Sequence, residues 1–212
     1  NMIVGLIPSR LRSKRLDKKP LLEIDSLPII VHTYKRAKLS KLLDKVIVCT
    51  DHKSIKEMVE KFGGEAILTS VKHRNGTERI FEVSNKLKNI DLVVDIQGDQ
   101  PLVDPKAIDE TIKFHKKNNK FDIVLPSMPI NEQIDNQSIV KTIFSENGKI
   151  IYFSREKTPY NYYNKNFKYY KNLSVVSFKP EALKKYCNNP ATKIEKIENI
   201  ELMRALELGL NL

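Results

Sequence analysis

Six cations fall within ten residues of this chain: Arg10, Arg12, Lys14, Arg15, Lys18 and Lys19. They follow a short apolar run, Ile3 to Ile7, that ends at Pro8 and reads as a buried strand. Arginine makes bidentate bonds to phosphate oxygens and lysine acts as a compact charge, so a loop of this composition suits a polyphosphate. In open α/β sheets ligands bind outside the carboxyl ends of the strands, which is where this loop must lie. It contains no glycine, so it is neither a Walker loop nor a dinucleotide fingerprint. A solvated basic loop is the plain alternative, but the charge density at a strand end favours phosphate binding.

Two further segments carry polar chemistry. Asp95-Ile96-Gln97-Gly98-Asp99-Gln100-Pro101 follows a run of strand formers. Gly98 lets the backbone turn and a ligand approach closely. Asp99 then offers one hard carboxylate, as Mg²⁺ requires when it keeps waters and shares its shell with substrate phosphates. An ordinary Gly-Asp turn is the alternative. Asn75-Gly76-Thr77-Glu78-Arg79 opens a predicted helix, whose first N–H groups suit an anion or a polar ring. The histidines at 32, 52, 73 and 115 lack metal-ligand spacing. Tyr152 and Phe153 are expected to pack in the core, and so is Cys49.

The elements that must position these residues alternate. Strands are expected at 3–7, 45–50, 65–68, 92–96 and 121–125, and helices from Pro28, at 53–62, 76–88 and 105–118. Asp51 is expected to cap the second helix. The unbroken apolar run at 92–96, interrupted only by Asp95, predicts a central strand buried on both faces. This rhythm implies an α/β fold with a mainly parallel sheet and helices on both faces. The later chain predicts a hairpin, 138–144 and 149–154, turning at Asn147-Gly148. It also predicts one strand at 172–178, a short helix from Pro180 and a last helix at 195–209, with an apolar face of Ile197, Leu202, Leu206 and Leu208. A Tyr-, Asn- and Lys-rich loop lies at 160–171. With no linker or repeat, the chain reads as one domain over 1–212. The end at Leu212 suggests a missing C-terminal strand or helix.

Taken together, L-I-P-S-R-x-x-S-K-R-L-x-x-K-P-L, N-G-T-E-R, Q-G-D-Q-P and Y-F-S-R, in this order, resemble the CMP-sugar-acid synthetases. The match is in particular to the 3-deoxy-D-manno-octulosonate cytidylyltransferase (CMP-Kdo synthetase) family, from Ile3 to about Leu212. Pro28-Ile29-Ile30-Val31-His32, Thr50-Asp51-His52, Gly63-Gly64 and Glu198-Asn199-Ile200-Glu201-Leu202-Met203-Arg204 extend it. The resemblance implies a three-layer, nucleotide-diphospho-sugar-transferase-like fold with a small later β segment. It also implies transfer of CMP from CTP to a 3-deoxy-2-keto sugar acid for lipopolysaccharide or capsule synthesis, with Mg²⁺ as cofactor and a homodimer as the assembly. The loop 160–171 and the later strands are its candidate interface.

By the same resemblance Arg10, Lys19 and Asp99 are catalytic, and Asp99 holds the metal. Pro8, Arg10, Ser13, Arg15, Lys19, Gly76, Thr77 and Gln97 bind the nucleotide. Arg79, Arg155 and Glu201 face the sugar acid. The departures from the family pattern are Asp17-Lys18-Lys19 for Pro-Gly-Lys, and Asn172, Val176 and Leu202 on the expected sugar side. A second metal-binding Asp, expected near the C-terminus, has no counterpart up to Leu212. The altered sugar-side positions leave a neuraminate-like acid or a sugar phosphate as alternative acceptors.

Composition bounds the rest. The chain's 212 residues are 41% hydrophobic and 30% charged, which is globular composition. Lys and Arg total 37 against 26 Asp and Glu, a net charge of +11. Such an excess raises a remote alternative, a non-enzymatic nucleic-acid-binding module, although no zinc-finger, helix-turn-helix or RNP signature is present. The expected partners are therefore CTP and a sugar acid, without nucleic acid or membrane. No apolar run approaches ~18 residues, so no membrane helix is expected. The N-terminus is too short and lacks the basic lead of a signal peptide, and Asn1 reads as a tag remnant. Two cysteines, Cys49 and Cys187, make no disulfide framework, and a cytoplasmic location is expected.

Overall fold

The computed structural model describes residues 1–12 and 16–212. The first half runs β1 (Met2–Ser9), a 3-10 turn (Lys19–Leu21), the hairpin β2 (Glu23–Ile24) and β3 (Leu27–Pro28), α1 (Ile29–Lys38), β4 (Lys45–Thr50), α2 (Lys53–Lys61) and β5 (Ala66–Leu68). It continues with α3 (Gly76–Ser84), β6 (Ile90–Ile96), α4 (Pro105–Lys117) and β7 (Ile123–Val124). The later chain adds β8 (Ser127–Ile130), β9 (Lys141–Phe144), β10 (Ile150–Ser154), β11 (Tyr169–Asn172) and β12 (Val175–Phe178). Helices α5 (Pro180–Cys187), α6 (Lys193–Glu198) and α7 (Met203–Glu207) close it.

The large sheet has the order β5-β4-β1-β6-β12-β7 among the described residues. Its first four strands are parallel, and β12 inserts antiparallel to both β6 and β7. On one face Ile30 and Val31 of α1, Ile55 and Val59 of α2, and Ile108 and Ile112 of α4 pack against Ile7, Val48, Val94 and Ile96. On the other, Ile80 and Val83 of α3, Leu183 and Tyr186 of α5, and Met203 of α7 pack against Val4, Leu6, Ile47 and Val93. Strand residues alternate between the two faces, so β1, β4 and β6 must be apolar on both. The result is the expected three-layer α/β fold, with a second, antiparallel sheet of order β10-β9-β11-β8 beside it.

Several boundaries differ from expectation. The run 172–178 is two strands in different sheets. Leu173 donates to the Pro126 carbonyl at 3.0 Å, and the Ser174 carbonyl accepts from Gln97 at 3.4 Å, so the backbone changes partners there. No glycine or proline marks this crossing. The expected last helix is also divided, because Asn199 adopts φ 55° and ends α6; Asn tolerates that conformation better than other chiral residues. Ile197 consequently points to solvent, 74% exposed, and Ile200 and Met203 are buried instead. The strand at 121–125 shortens to Ile123–Val124, and the helix at 76–88 ends at Ser84. His52, not Asp51, caps α2: its ring accepts from the Ser54 N–H at 3.1 Å. Asp51 instead accepts from the Leu11 N–H at 3.3 Å.

Candidate active site

The chain runs from β1 outward to β4 and β5, then returns to place β6 on the other side of β1. The carboxyl ends of β1 and β6 therefore border a topological switch point, where α/β sheets open a crevice. Pro8 is its hinge point. A Cβ on Gly98 would lie 2.7 Å from the Pro8 carbonyl oxygen, so no larger residue fits without moving backbone. A Cβ on Gly76 would lie 2.9 Å from the Pro8 ring. Thr33 of α1 donates to the Gly98 carbonyl at 3.0 Å and fixes that turn from behind. Three segments far apart in sequence thus meet at one proline.

They enclose a cleft of about 680 Å³. Its lining includes Pro8, Arg10, Lys19, Gly76, Thr77 and Gln97. Asp99, Arg79 and Glu201 line it as well. Lys19 Nζ stands 3.4 Å from Asp99 Oδ2, with the two side chains 42% and 53% exposed. So solvated an ion pair contributes at most about 1 kcal/mol, and either partner exchanges readily for a ligand charge. Asp99 and Glu201 are the carboxylates of the lining, and the described residues contain no cluster of three metal-ligating side chains. That donor set fits Mg²⁺ bound jointly by protein, phosphate and water better than a metal caged by protein.

The wall at α3 is built to stay in place. Asn75 Oδ1 accepts from the Glu78 N–H at 2.8 Å, and Glu78 accepts from the Arg74 N–H at 2.7 Å. Desolvation alone would raise the Glu78 pKa, but these bonds with Arg74 hold it below the usual carboxylate range. Gly76 and Thr77, in the first turn where backbone N–H groups lack intrahelical partners, line the cleft. Arg79 is 4% exposed; its guanidinium donates to Thr69 Oγ1 at 2.6 Å and the Ser70 carbonyl at 3.0 Å, with Asp51 at 3.9 Å.

Behind the lining residue Gln97, and not itself lining the cleft, Asp95 is 4% exposed. Gln97 Nε2 donates to its Oδ2 at 3.3 Å, and its Oδ1 has no partner. Burial, with Glu201 adding to the effect, pushes the Asp95 pKa up to about 7. Glu201 as a residue remains exposed. Its carboxyl nonetheless sits among protein atoms, and desolvation, then Glu195, raise its pKa while Arg204 opposes them.

Of the residues anticipated from sequence, Ser13 and Arg15 lie outside the described residues. Pro8, Arg10, Lys19, Gly76, Thr77, Arg79, Gln97, Asp99 and Glu201 come together in the cleft. Arg155 does not line it: its guanidinium is engaged by the carbonyls of Glu198 at 2.6 Å, Asn199 at 2.8 Å and Gln137 at 3.0 Å. Asn172, Val176 and Leu202 are also outside the cleft lining. Asn172 accepts from Thr142, and Val176 and Leu202 pack at the edge of the core, so the grounds they gave for another acceptor weaken. Sequence reasoning missed Ser9, His73 and Arg74 as lining residues, and the state of Asp95. The one charge in the apolar run 92–96 was the available signal for Asp95.

The profile of the cytidylyltransferase family matches residues 4–212. A relative from Fusobacterium nucleatum named 3-deoxy-manno-octulosonate cytidylyltransferase is 40% identical over 208 residues, which span 97% of this chain and 84% of the relative. A relative from Shewanella baltica named 8-amino-3,8-dideoxy-manno-octulosonate cytidylyltransferase is 37% identical over 209 residues, 96% of this chain and 85% of the relative. A solved structure of CMP:2-keto-3-deoxy-manno-octonic acid synthetase complexed with CTP superposes with a TM-score of 0.96 at 30% identity, covering 100% of this chain and 88% of that one.

Proposed function

The chain belongs to the cytidylyltransferase family, and from that premise we propose that it couples CTP to an eight-carbon 3-deoxy-2-keto sugar acid of the 3-deoxy-manno-octulosonate class. The anomeric hydroxyl of the acid attacks the α-phosphorus of CTP. A new C–O–P bond forms, the bond between the α-phosphorus and the bridging oxygen breaks, pyrophosphate leaves, and the hydroxyl proton passes to solvent. The demands on the protein are in-line positioning and neutralisation of phosphate charge.

The observation that carries this reading is the Lys19–Asp99 approach at 3.4 Å inside the cleft at the switch point. Arg10 and Lys19, with Ser13 and Arg15 of the same loop, hold the triphosphate. Pro8, Gly76, Thr77 and Gln97 border the nucleoside. Asp99 would hold Mg²⁺, which when bound supplies further positive charge to the phosphates. Arg79 gives fixed positive charge to the acceptor side, where a carboxylate must be held, and Glu201 accepts from sugar hydroxyls. The relatives named for the 8-amino sugar support a second acceptor, differing by one amine.

Purified protein with CTP, Mg²⁺ and either octulosonate should release pyrophosphate, and CTP should be preferred to UTP. No release with either acid would overturn the reading. A homodimer is part of the same proposal. Tyr160, Tyr162 and Tyr163, 85%, 78% and 77% exposed, offer aromatic surface to a second copy beside the smaller sheet. Light scattering at twice the chain mass is the expected result, and the monomer mass would remove this part.

A further inference from the structure

We propose that Lys141 and Arg155 form a positioning clamp that sets Glu201 in the acceptor half of the cleft. This deepens the proposed function, since it assigns how one sugar-side residue is held.

Arg155 directly follows the strand β10 and turns its whole guanidinium onto backbone. It binds the last two carbonyls of the α6 terminus, Glu198 and Asn199, and reaches Gln137 with its remaining arm. Cations are favoured at a helix C-terminus, where carbonyls lack partners. Here the bonds also fix the left-handed turn at Asn199, two residues before Glu201. On the other side the Tyr186 hydroxyl donates to the Glu201 carbonyl at 2.9 Å. The backbone of Glu201 is thereby held from both directions, while its side chain lines the cleft.

Lys141 supports Arg155 in turn. It is fully buried, and Nζ donates to the carbonyls of Arg155 at 2.7 Å and Asn136 at 2.8 Å. No carboxylate pairs with it among the described residues within ion-pair distance. A buried ammonium held by carbonyls alone is costly compared with an apolar residue. What it does hold in place is the residue that grips α6. The path from β9 through β10 to the cleft is continuous, bond by bond.

The test is steady-state kinetics with CTP and 3-deoxy-manno-octulosonate on the full chain. Arg155→Gln should raise the sugar KM about tenfold and leave the CTP KM within about twofold, and Lys141→Met should follow in weaker form. In a Glu201→Gln background, Arg155→Gln should add nothing, because its effect passes through Glu201. If the two substitutions multiply, Arg155 touches the sugar itself and the clamp is wrong. Unchanged sugar KM in Arg155→Gln overturns it as well. Thermal melts monitor folding, and if Arg155→Gln does not fold, Arg155→Lys and Lys141→Met are read by the same criteria. A wild-type protein inactive with every octulosonate would fail the functional reading instead, which separates the two.

Discussion

Two charged regions, one lining the cleft and one behind it, are held by opposite means. At the basic turn after β1, Arg10 is exposed and Lys19 and Asp99 are both about half exposed, meeting only at 3.4 Å. Behind Glu201, outside the cleft lining, Arg204 and Glu195 are 3% and 9% exposed and joined by two bonds of 2.8 Å, with the Tyr186 ring 4.3 Å from the guanidinium. Solvated charges exchange partners at little cost, which suits a site whose ligand carries several negative charges and must leave as pyrophosphate. Buried, fully bonded charges do not exchange. They fix geometry, and the Tyr186 ring beside the Arg204 guanidinium carries the hydroxyl bonded to the Glu201 carbonyl.

That contrast is broken most severely from the buried side. Arg204→Met strands the Glu195 carboxylate in the core, and a loss of about 3–5 kcal/mol in urea unfolding is expected. A loss below about 1 kcal/mol would place the pair in the exposed class. Next comes Asp99→Asn, which should lower kcat about 10²- to 10³-fold with an unchanged melting temperature, the scale of one lost electrostatic contact to a reacting centre. Wild-type turnover in Mg²⁺ would remove Asp99 from the site.

Asp95 sharpens the comparison through the pH dependence of stability. Its folded pKa, about 7, exceeds the unfolded value of 3.8. The folded state therefore holds a proton that the unfolded state releases, and this group's contribution falls as pH rises from about 4 to about 7. Asp95→Asn removes that slope, so the variant should gain stability over wild type at pH 8 and little at pH 4. Equal gains at both values would mean that Asp95 titrates normally.

The position of the cleft was legible in the sequence because its signals are local: a cation-dense loop after one strand, a Gly-Asp turn after another. The parallel sheet was legible too, since Val93 and Val94 announce a strand buried on both faces. The place of Arg155 was not, although Arg79 and Glu201 do line the cleft. Arg155 has the same residue type whether it grips a carboxylate or the carbonyls of Glu198 and Asn199, and only tertiary geometry separates these. Likewise the run 172–178 has uniform strand character, while its crossing between sheets is set by partners at Pro126 and Gln97. The break at Asn199 depends on one positive φ that an amphipathic pattern does not encode.

The central claim is that the basic turn after β1 and the carboxylate after β6 serve one triphosphate. Calorimetric titration of CTP and of CMP, in Mg²⁺, into wild type and Lys19→Met tests it most directly. The account predicts CTP binding weakened about tenfold or more, near 1.4 kcal/mol, with CMP binding nearly unchanged because CMP lacks the β- and γ-phosphates. Equal weakening of both nucleotides, or of neither, would contradict it.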